Sequence, residues 1–488
     1  MSVFRKLAGQ TAIYGLPTII GRFLNYLLVP LYTYNFSTAE YGTVNELYAY
    51  VSFLLIILTY GMETALFNFS SRSDNKPKVY STILTSVSIS SVVFIALLWA
   101  FAGPISELIR YPRHPEYVTW FALILGTDAV SAIVFAKWRE QQQAKKFALF
   151  KTVNVLVNIG CNVFFLWICK GAYDSGSRPA LARLYDPAIG IGYIFISNLA
   201  ASAITLLLQL PSILATRFRI DTALLKTIFP YAFPLLIAGL AGMTNETMDR
   251  ILLKYLLPEN TALEQTGIYG ACYKISIIMT LFIQTFRYAA EPFFFSHSSD
   301  KDARQTYARV MNYFVIVCMI IFLGTMMNIS WIRYFIGEPF REGLAVVPVL
   351  LMANFFLGVT FSLSIWYKLT GKTRWGAYLT IGGALITLAG NFLFIPIYGY
   401  MACAWTTLAC YAAMAVASYL LGNKHYAVNY DTGRILAYVA LSLILYVLAE
   451  RVHFAAESLD LALRNLMVLL YAATVFMIER KSMRTNES

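Results

Sequence analysis

Gly21-Arg22-Phe-Leu-Asn25-Tyr-Leu-Leu-Val-Pro30 leads into Ser37-Thr-Ala-Glu-Tyr41-Gly42, and the same frame returns 228 residues later in the chain. Arg22 maps onto Arg250, Pro30 onto Pro258, Tyr41-Gly42 onto Tyr269-Gly270, Tyr60 onto Tyr288, Glu63 onto Glu291, and Ser70-Ser71 onto Ser298-Ser299. Upstream, Tyr14-Gly15-Leu16-Pro17 corresponds to Tyr231-Ala232-Phe233-Pro234 after a short gap. An arginine, a glutamate and a proline held in register across two helices mark an internal duplication. Each copy carries its arginine deep inside an apolar segment.

Working outward, composition fixes the solvent. A chain that is 58% hydrophobic and 13% charged cannot cover a water-facing surface, whereas lipid requires this balance. Apolar runs of about twenty residues, each able to cross about 30 Å of hydrocarbon as a helix, recur from Gln10–Tyr34 to Leu461–Met477. There are about fourteen, with the fifth expected over Phe150–Cys169. Helix is the expected state, because lone strands would leave backbone groups unpaired in lipid. The expected fold is therefore an all-α polytopic membrane protein.

A repeat that recurs after six helices returns in the same orientation. Two six-helix lobes, 1–220 and 221–422, should then be related by a pseudo-two-fold axis along the membrane normal, with 423–488 adding two C-terminal helices and a tail. The substrate path in such a molecule runs between the lobes. With a cytoplasmic N-terminus, the inner loops collect 24 lysines and arginines and the outer loops 9, so both termini are expected in the cytoplasm. The net charge of +12 is thus largely a matter of topology and no argument for nucleic acid. The basic run Lys137 to Lys151 is expected to meet anionic lipid headgroups.

Other classes recede. The first apolar run is too long for a signal peptide, and no loop is long enough to hold a soluble catalytic domain, so no enzyme is expected. The six cysteines (Cys161, Cys169, Cys272, Cys318, Cys403 and Cys410) show no metal or redox spacing, and His114, His297, His425 and His453 stand alone. Neither a metal nor a cofactor is expected.

The chemistry should lie in the charges that lipid excludes. Arg22 falls near the bilayer midplane, where an exposed arginine costs at least about 2.5–3.5 kcal/mol, so it must face protein or water. Glu246, Arg250 and Lys254 follow one another along one stripe of the seventh helix, and Lys274 and Arg287 add positive charge on the eighth. Collected around a water-filled cavity, these cations would suit phosphate or pyrophosphate, which guanidinium grips through two oxygens. Glu246 or Asp249 could instead neutralise Arg250, and Arg287 with Glu291 could be a structural pair. Asp128, Glu63 and Glu291 are the candidate ion-coupling carboxylates, the two glutamates equally readable as structural partners. Pro17, Pro30, Pro234 and Pro258 could bend helices during rocking or simply kink them.

The chain also carries a resemblance. Ala12-Ile-Tyr-Gly-Leu-Pro17, Gly21-Arg22 through Pro30, and Ser37 through Gly42 are similar to the opening of the bacterial polysaccharide-biosynthesis flippases, within the superfamily that contains the multidrug and toxin extrusion transporters. Trp138-Arg139-Glu140-Gln141 with Lys145-Lys146, Asp249-Arg250-Ile-Leu-Leu, Gly267-Ile-Tyr269-Gly270 and Ile395-Pro396-Ile-Tyr-Gly399-Tyr extend the match over the whole chain. The resemblance implies a flippase in the bacterial inner membrane. Such a protein moves an undecaprenyl-pyrophosphate-linked oligosaccharide to the periplasmic leaflet by alternating access, for O-antigen, capsule or exopolysaccharide. It further implies coupling to H⁺ or Na⁺ and partnership with a polysaccharide polymerase and a chain-length protein. A multidrug or metabolite exporter, a lipid II flippase and a membrane glycan polymerase or ligase remain as alternatives.

Overall fold

The computed structural model describes residues 19–176, 178–298, 300, 302–451 and 457–487. Pro17 lies outside the described residues, as do Arg5, Lys6, Ser299, Lys301 and His453. Among the described residues there is no strand. Residues 19–26 are helical and continue as Leu28–Asn35, together α1. Thirteen helices after it are the ones long and apolar enough to cross a membrane among the described residues. They are α2 (Thr38–Arg72), α3 (Lys76–Ala100), α4 (Pro115–Glu140), α5 (Ala144–Asp174), α6 (Gly192–Leu214), α7 (Thr222–Leu256), α8 (Glu259–Ser296), α9 (Ala303–Met327), α10 (Glu338–Leu369), α11 (Arg374–Tyr398), α12 (Tyr400–His425), α13 (Thr432–Arg451) and α14 (Ser458–Arg480). The chain is an all-helical, multi-pass membrane protein.

Local chemistry sets the helix boundaries. Ser37 and Glu40 form a reciprocal capping box at the start of α2, satisfying backbone donors that a helix leaves orphaned. α2 breaks midway, where Tyr60 and Gly61 both take left-handed backbone (φ 32° and 74°). A side chain on Gly61 would meet the carbonyl of Ala232 at 2.8 Å, so glycine permits both the turn and the approach of α7. Asp221 caps α7, accepting from the Leu224 N–H at 2.8 Å, and it also pairs with Lys78 at the start of α3. Pro30 lies within the second part of α1, Pro234 inside α7, and Pro258 just beyond the end of α7.

Two compact units emerge, Met1–Gly267 and Ile268–Ser488. In the first, α4 packs against α3 and α6, α5 against α6, and α7 along α2. Its core is aliphatic and aromatic, built on Met62, Leu66, Ile83, Leu84, Leu125, Ile133 and Trp138, and it reaches Ile228 and Ala232 of α7. A polar ladder ties α1 to α5, with Asn158 donating to Asn25 at 3.1 Å, Tyr32 to Asn162 at 3.0 Å, and Lys170 to Asn35 at 3.0 Å. In the second unit α10 packs on α12, α12 on α11, and α9 on α13 and α14.

The turn between α4 and α5 differs from expectation. Gln141, Gln142 and Gln143 complete it, because Gln142 takes a φ of 56°, and α5 begins at Ala144 rather than near Phe150. Lys151 is therefore two turns inside a membrane helix. It does not belong to a headgroup-facing loop.

Where α2 crosses the first turns of α8, backbone meets backbone. A Cβ on Gly42 would fall 1.9 Å from the carbonyl oxygen of Leu263, and one on Gly267 would fall 1.8 Å from that of Thr38. Neither carbonyl can rotate away as a side chain could. Gly42→Ala should therefore cost about 1–3 kcal/mol by overpacking, read as a lowered thermal midpoint in detergent. Gly103→Ala, with nothing within 4 Å, should leave the midpoint unchanged. The Asp221 carboxyl is held below its usual range by the hydrogen bond from Lys78 and by the Leu224 N–H. Its contribution to stability is thus present above the unfolded value of about 3.9 and is lost as pH falls through the lower folded value. Asp221→Asn should lower the thermal midpoint at pH 7 and converge on the native midpoint in strong acid.

Candidate functional site

The intramembrane charges of the first unit fall into two groups. The first surrounds Lys151. Its ammonium lies 5.0 Å above the Phe135 ring and within electrostatic reach of Asp128, Glu63, Arg139 and Arg22. The four partners come from three helices: Arg22 from α1, Glu63 from the second half of α2, Asp128 and Arg139 from α4. The cluster exists because α4 and α5 form a tight hairpin and α1 is strapped to α5.

Within it, the pairings are specific. Arg139 donates from Nη2 to Glu63 at 3.0 Å, while its Nε is buried without a hydrogen-bond partner. Thr59, Gly61, Phe67 and Leu235 of α7 join them around a cavity of about 390 Å³. Asp128 lies near Ser202 of α6. Arg22 is exposed and has no ion-pair or hydrogen-bond partner among the described residues. Three cations thus face two carboxylates, leaving the cluster positive.

The second group is dry and closed. Lys254 on α7 donates to Glu46 on α2 at 2.9 Å and to the carbonyl of Ile109 at 2.6 Å, and it stands 3.5 Å over the Tyr111 ring. Tyr111 in turn donates its hydroxyl to Glu46. The Glu46 and Lys254 side chains are 0% and 4% exposed. One turn earlier on α7, Arg250 reaches Asp249 at 3.3 Å and the backbone carbonyl of Glu246 at 2.6 Å. The side chain of Glu246 is exposed.

The second unit holds the remaining candidates. Arg287 pairs with Glu291 at 3.1 Å and lies 4.8 Å over the Phe361 ring, and Lys368 of α10 also binds Glu291. Lys274 is half-buried on α8.

Of the residues singled out from the sequence, Arg22, Glu63 and Asp128 come together, whereas Arg250 and Lys254 are each committed to a carboxylate. Sequence reasoning missed Lys151, Arg139 and Glu46 as members of these groups. Lys151 had a usable signal, its position nine residues beyond the glutamine turn. Glu46 had none, because its partner is 208 residues away.

Comparison with known proteins fits this geometry. A search among curated protein sequences finds no match. Among solved structures, the chain is similar to the lipid II flippase MurJ in an inward closed conformation, at 13% identity and a TM-score of 0.72 over 96% of this chain and 99% of that one. It is also similar to the MATE multidrug transporter DinF-BH, at 15% identity and TM-score 0.60 over 86% and 96%. A Vibrio cholerae MATE transporter, VcmN, matches at 13% identity and TM-score 0.57 over 87% and 98%. These likenesses establish the fold. The family model described as "Polysaccharide biosynthesis protein" matches residues 7–298, well over half of the sequence, and the chain belongs to that family.

Proposed function

We propose that this protein is a flippase that carries a polyprenyl-pyrophosphate-linked oligosaccharide from the cytoplasmic to the periplasmic leaflet of a bacterial inner membrane by alternating access. The carrying observation is Arg22, an exposed guanidinium on α1 within electrostatic reach of Lys151, a cation two turns inside α5. Lipid does not tolerate such a pair, so a polar ligand or water must face it. Guanidinium and ammonium together match a pyrophosphate, the one group every such cargo shares.

Membership in a polysaccharide biosynthesis family supports a glycan on the far side of that pyrophosphate. The protein's own task is to lower a barrier. Moving sugars and phosphates through hydrocarbon unaided would strand polar groups at a cost of about several kcal/mol each, while the polyprenyl tail can stay in the bilayer. Asn25 and Asn158, on the α1–α5 seam with Asn162 buried behind them, are positioned to hydrogen-bond sugar hydroxyls.

The distribution of lysine and arginine supports cytoplasmic termini. The Ser37 end of α2 then faces the periplasm. The cleft of about 1220 Å³ bounded by Lys76, Lys78, Lys137, Arg217 and Arg219 faces the cytoplasm, where anionic headgroups would occupy it. Asp128, near Ser202 and within electrostatic reach of Lys151, is the carboxylate best placed to exchange a proton or sodium ion during the cycle.

Transfer of a radiolabelled polyprenyl-pyrophosphate oligosaccharide across proteoliposomes tests this reading. Arg22→Ala and Lys151→Ala should each lower transfer about tenfold or more, as loss of a charge-assisted phosphate contact implies, without lowering the thermal midpoint. Arg250→Ala should instead destabilise the fold by about 3–5 kcal/mol, because it takes the cation away from the buried carboxylate of Asp249. Export of small organic cations with no movement of lipid-linked sugar would replace the flippase by a drug exporter. Asp128→Asn should preserve cargo binding while removing the response of transfer to an imposed pH or sodium gradient; an unchanged response excludes Asp128 from coupling.

A further inference from the structure

We propose that Glu46 and Lys254 form a charged latch that holds the periplasmic end of the first unit shut, and that each transport cycle must hydrate and part them. The inference rests on the orientation proposed above, but not on the identity of the cargo.

The two residues join helices from opposite copies of the repeat. Glu46 is just over two turns into α2, Lys254 lies in the last turn of α7, and the segment between α3 and α4 supplies Ile109 and Tyr111. The ammonium is saturated: Glu46 and the Ile109 carbonyl accept two of its protons, and the Tyr111 ring faces it at 3.5 Å. No position is left for a phosphate. In this state Lys254 is a structural cation.

Further contacts seal the same end. The backbones of α2 and the start of α8 touch at Gly42 and Gly267, Arg110 pairs with Glu259 at 3.3 Å and covers the Tyr255 ring, and Tyr50 meets Tyr255 at 2.9 Å. Toward the other end of the same two helices, Gly61, Glu63 and Leu235 instead border an open cavity.

Such a pair has the energetics of a switch. Dry, the ions attract strongly but have given up hydration; wet, they regain hydration and lose most of the attraction, so the two states lie close in free energy. Removing one partner destroys that balance, because a lone buried charge can be relieved only by admitting water. Neutralising either residue should therefore bias the end toward opening, and exchanging the two charges should restore closure.

The test is cysteine accessibility from the periplasmic side. In a background with the six native cysteines replaced, Ala49→Cys places a thiol three residues deeper on the Glu46 face of α2, where Ala49 is 2% exposed. A membrane-impermeant maleimide added outside right-side-out vesicles without cargo should label it slowly. Glu46→Gln or Lys254→Gln should raise the labelling rate about tenfold or more, as the population of the open state follows its free-energy gap. The exchange Glu46→Lys with Lys254→Glu should return it toward the slow value. Tyr111→Phe, which removes only one hydrogen bond to Glu46, should give a smaller rise and covers the case in which a neutralised variant does not fold. Unchanged labelling in folded single variants overturns the latch. Labelling only in inside-out vesicles overturns the orientation instead, and failure of lipid-linked sugar transfer with labelling as expected overturns the cargo and leaves the latch standing.

Discussion

A charge inside hydrocarbon has three stable fates: it finds an opposite charge, it keeps water, or it is enclosed by enough polar groups to replace water. The first unit uses each of them. Lys254 and Glu46 are enclosed, Arg250 is tied to its own neighbour Asp249 and to a carbonyl one turn back, and Arg22 is left exposed. Sorting the charges this way separates what holds the helices from what remains available to a ligand. The helices around them obey simpler demands: every backbone bond closed within the segment, apolar side chains toward lipid, and glycine where two backbones must touch.

Much of the fold was legible because lipid is a severe solvent. Runs of about twenty apolar residues can hardly be anything but spanning helices, and the duplicated frame from Arg22 to Ser71 identifies the helix pair from which the chain is built. Helix ends are harder. The stretch Lys137 to Lys151 reads as a loop because it is polar, yet a three-residue turn is sterically sufficient once Gln142 adopts left-handed backbone. The lysines of such a segment then divide: Lys146 stays with the Trp138 ring, while Lys151 enters the charge cluster. Polarity alone does not tell these apart.

The site was legible in kind but not in pairing. A charge deep in an apolar run is visible in any sequence, and Arg22, Arg250, Glu63 and Asp128 stand out in that way. Their partners do not, because pairing is decided by helix packing between residues far apart in the chain. Glu46 sits 208 positions from Lys254 and is unremarkable within α2. Arg139 reads as part of a cytoplasmic basic patch, yet it bonds Glu63 and borders a cavity with α7. Long-range pairing is the information that three-dimensional structure adds.

The duplication also explains why symmetry is a poor guide to role. Arg22 and Arg250 match in the sequence register, and so do Glu63 and Glu291, yet their neighbours differ. An aspartate precedes Arg250 and binds it, whereas a glycine precedes Arg22 and leaves its guanidinium to other partners. Glu63 binds an arginine from α4, while Glu291 is shared between Arg287 on its own helix and Lys368 on α10. One arginine of the matched pair is thus exposed and the other is tied to a carboxylate. Packing contributes at Gly21: a side chain there would press on the Val155 methyl of α5 at 3.0 Å, so a larger residue before Arg22 asks that side chain to yield.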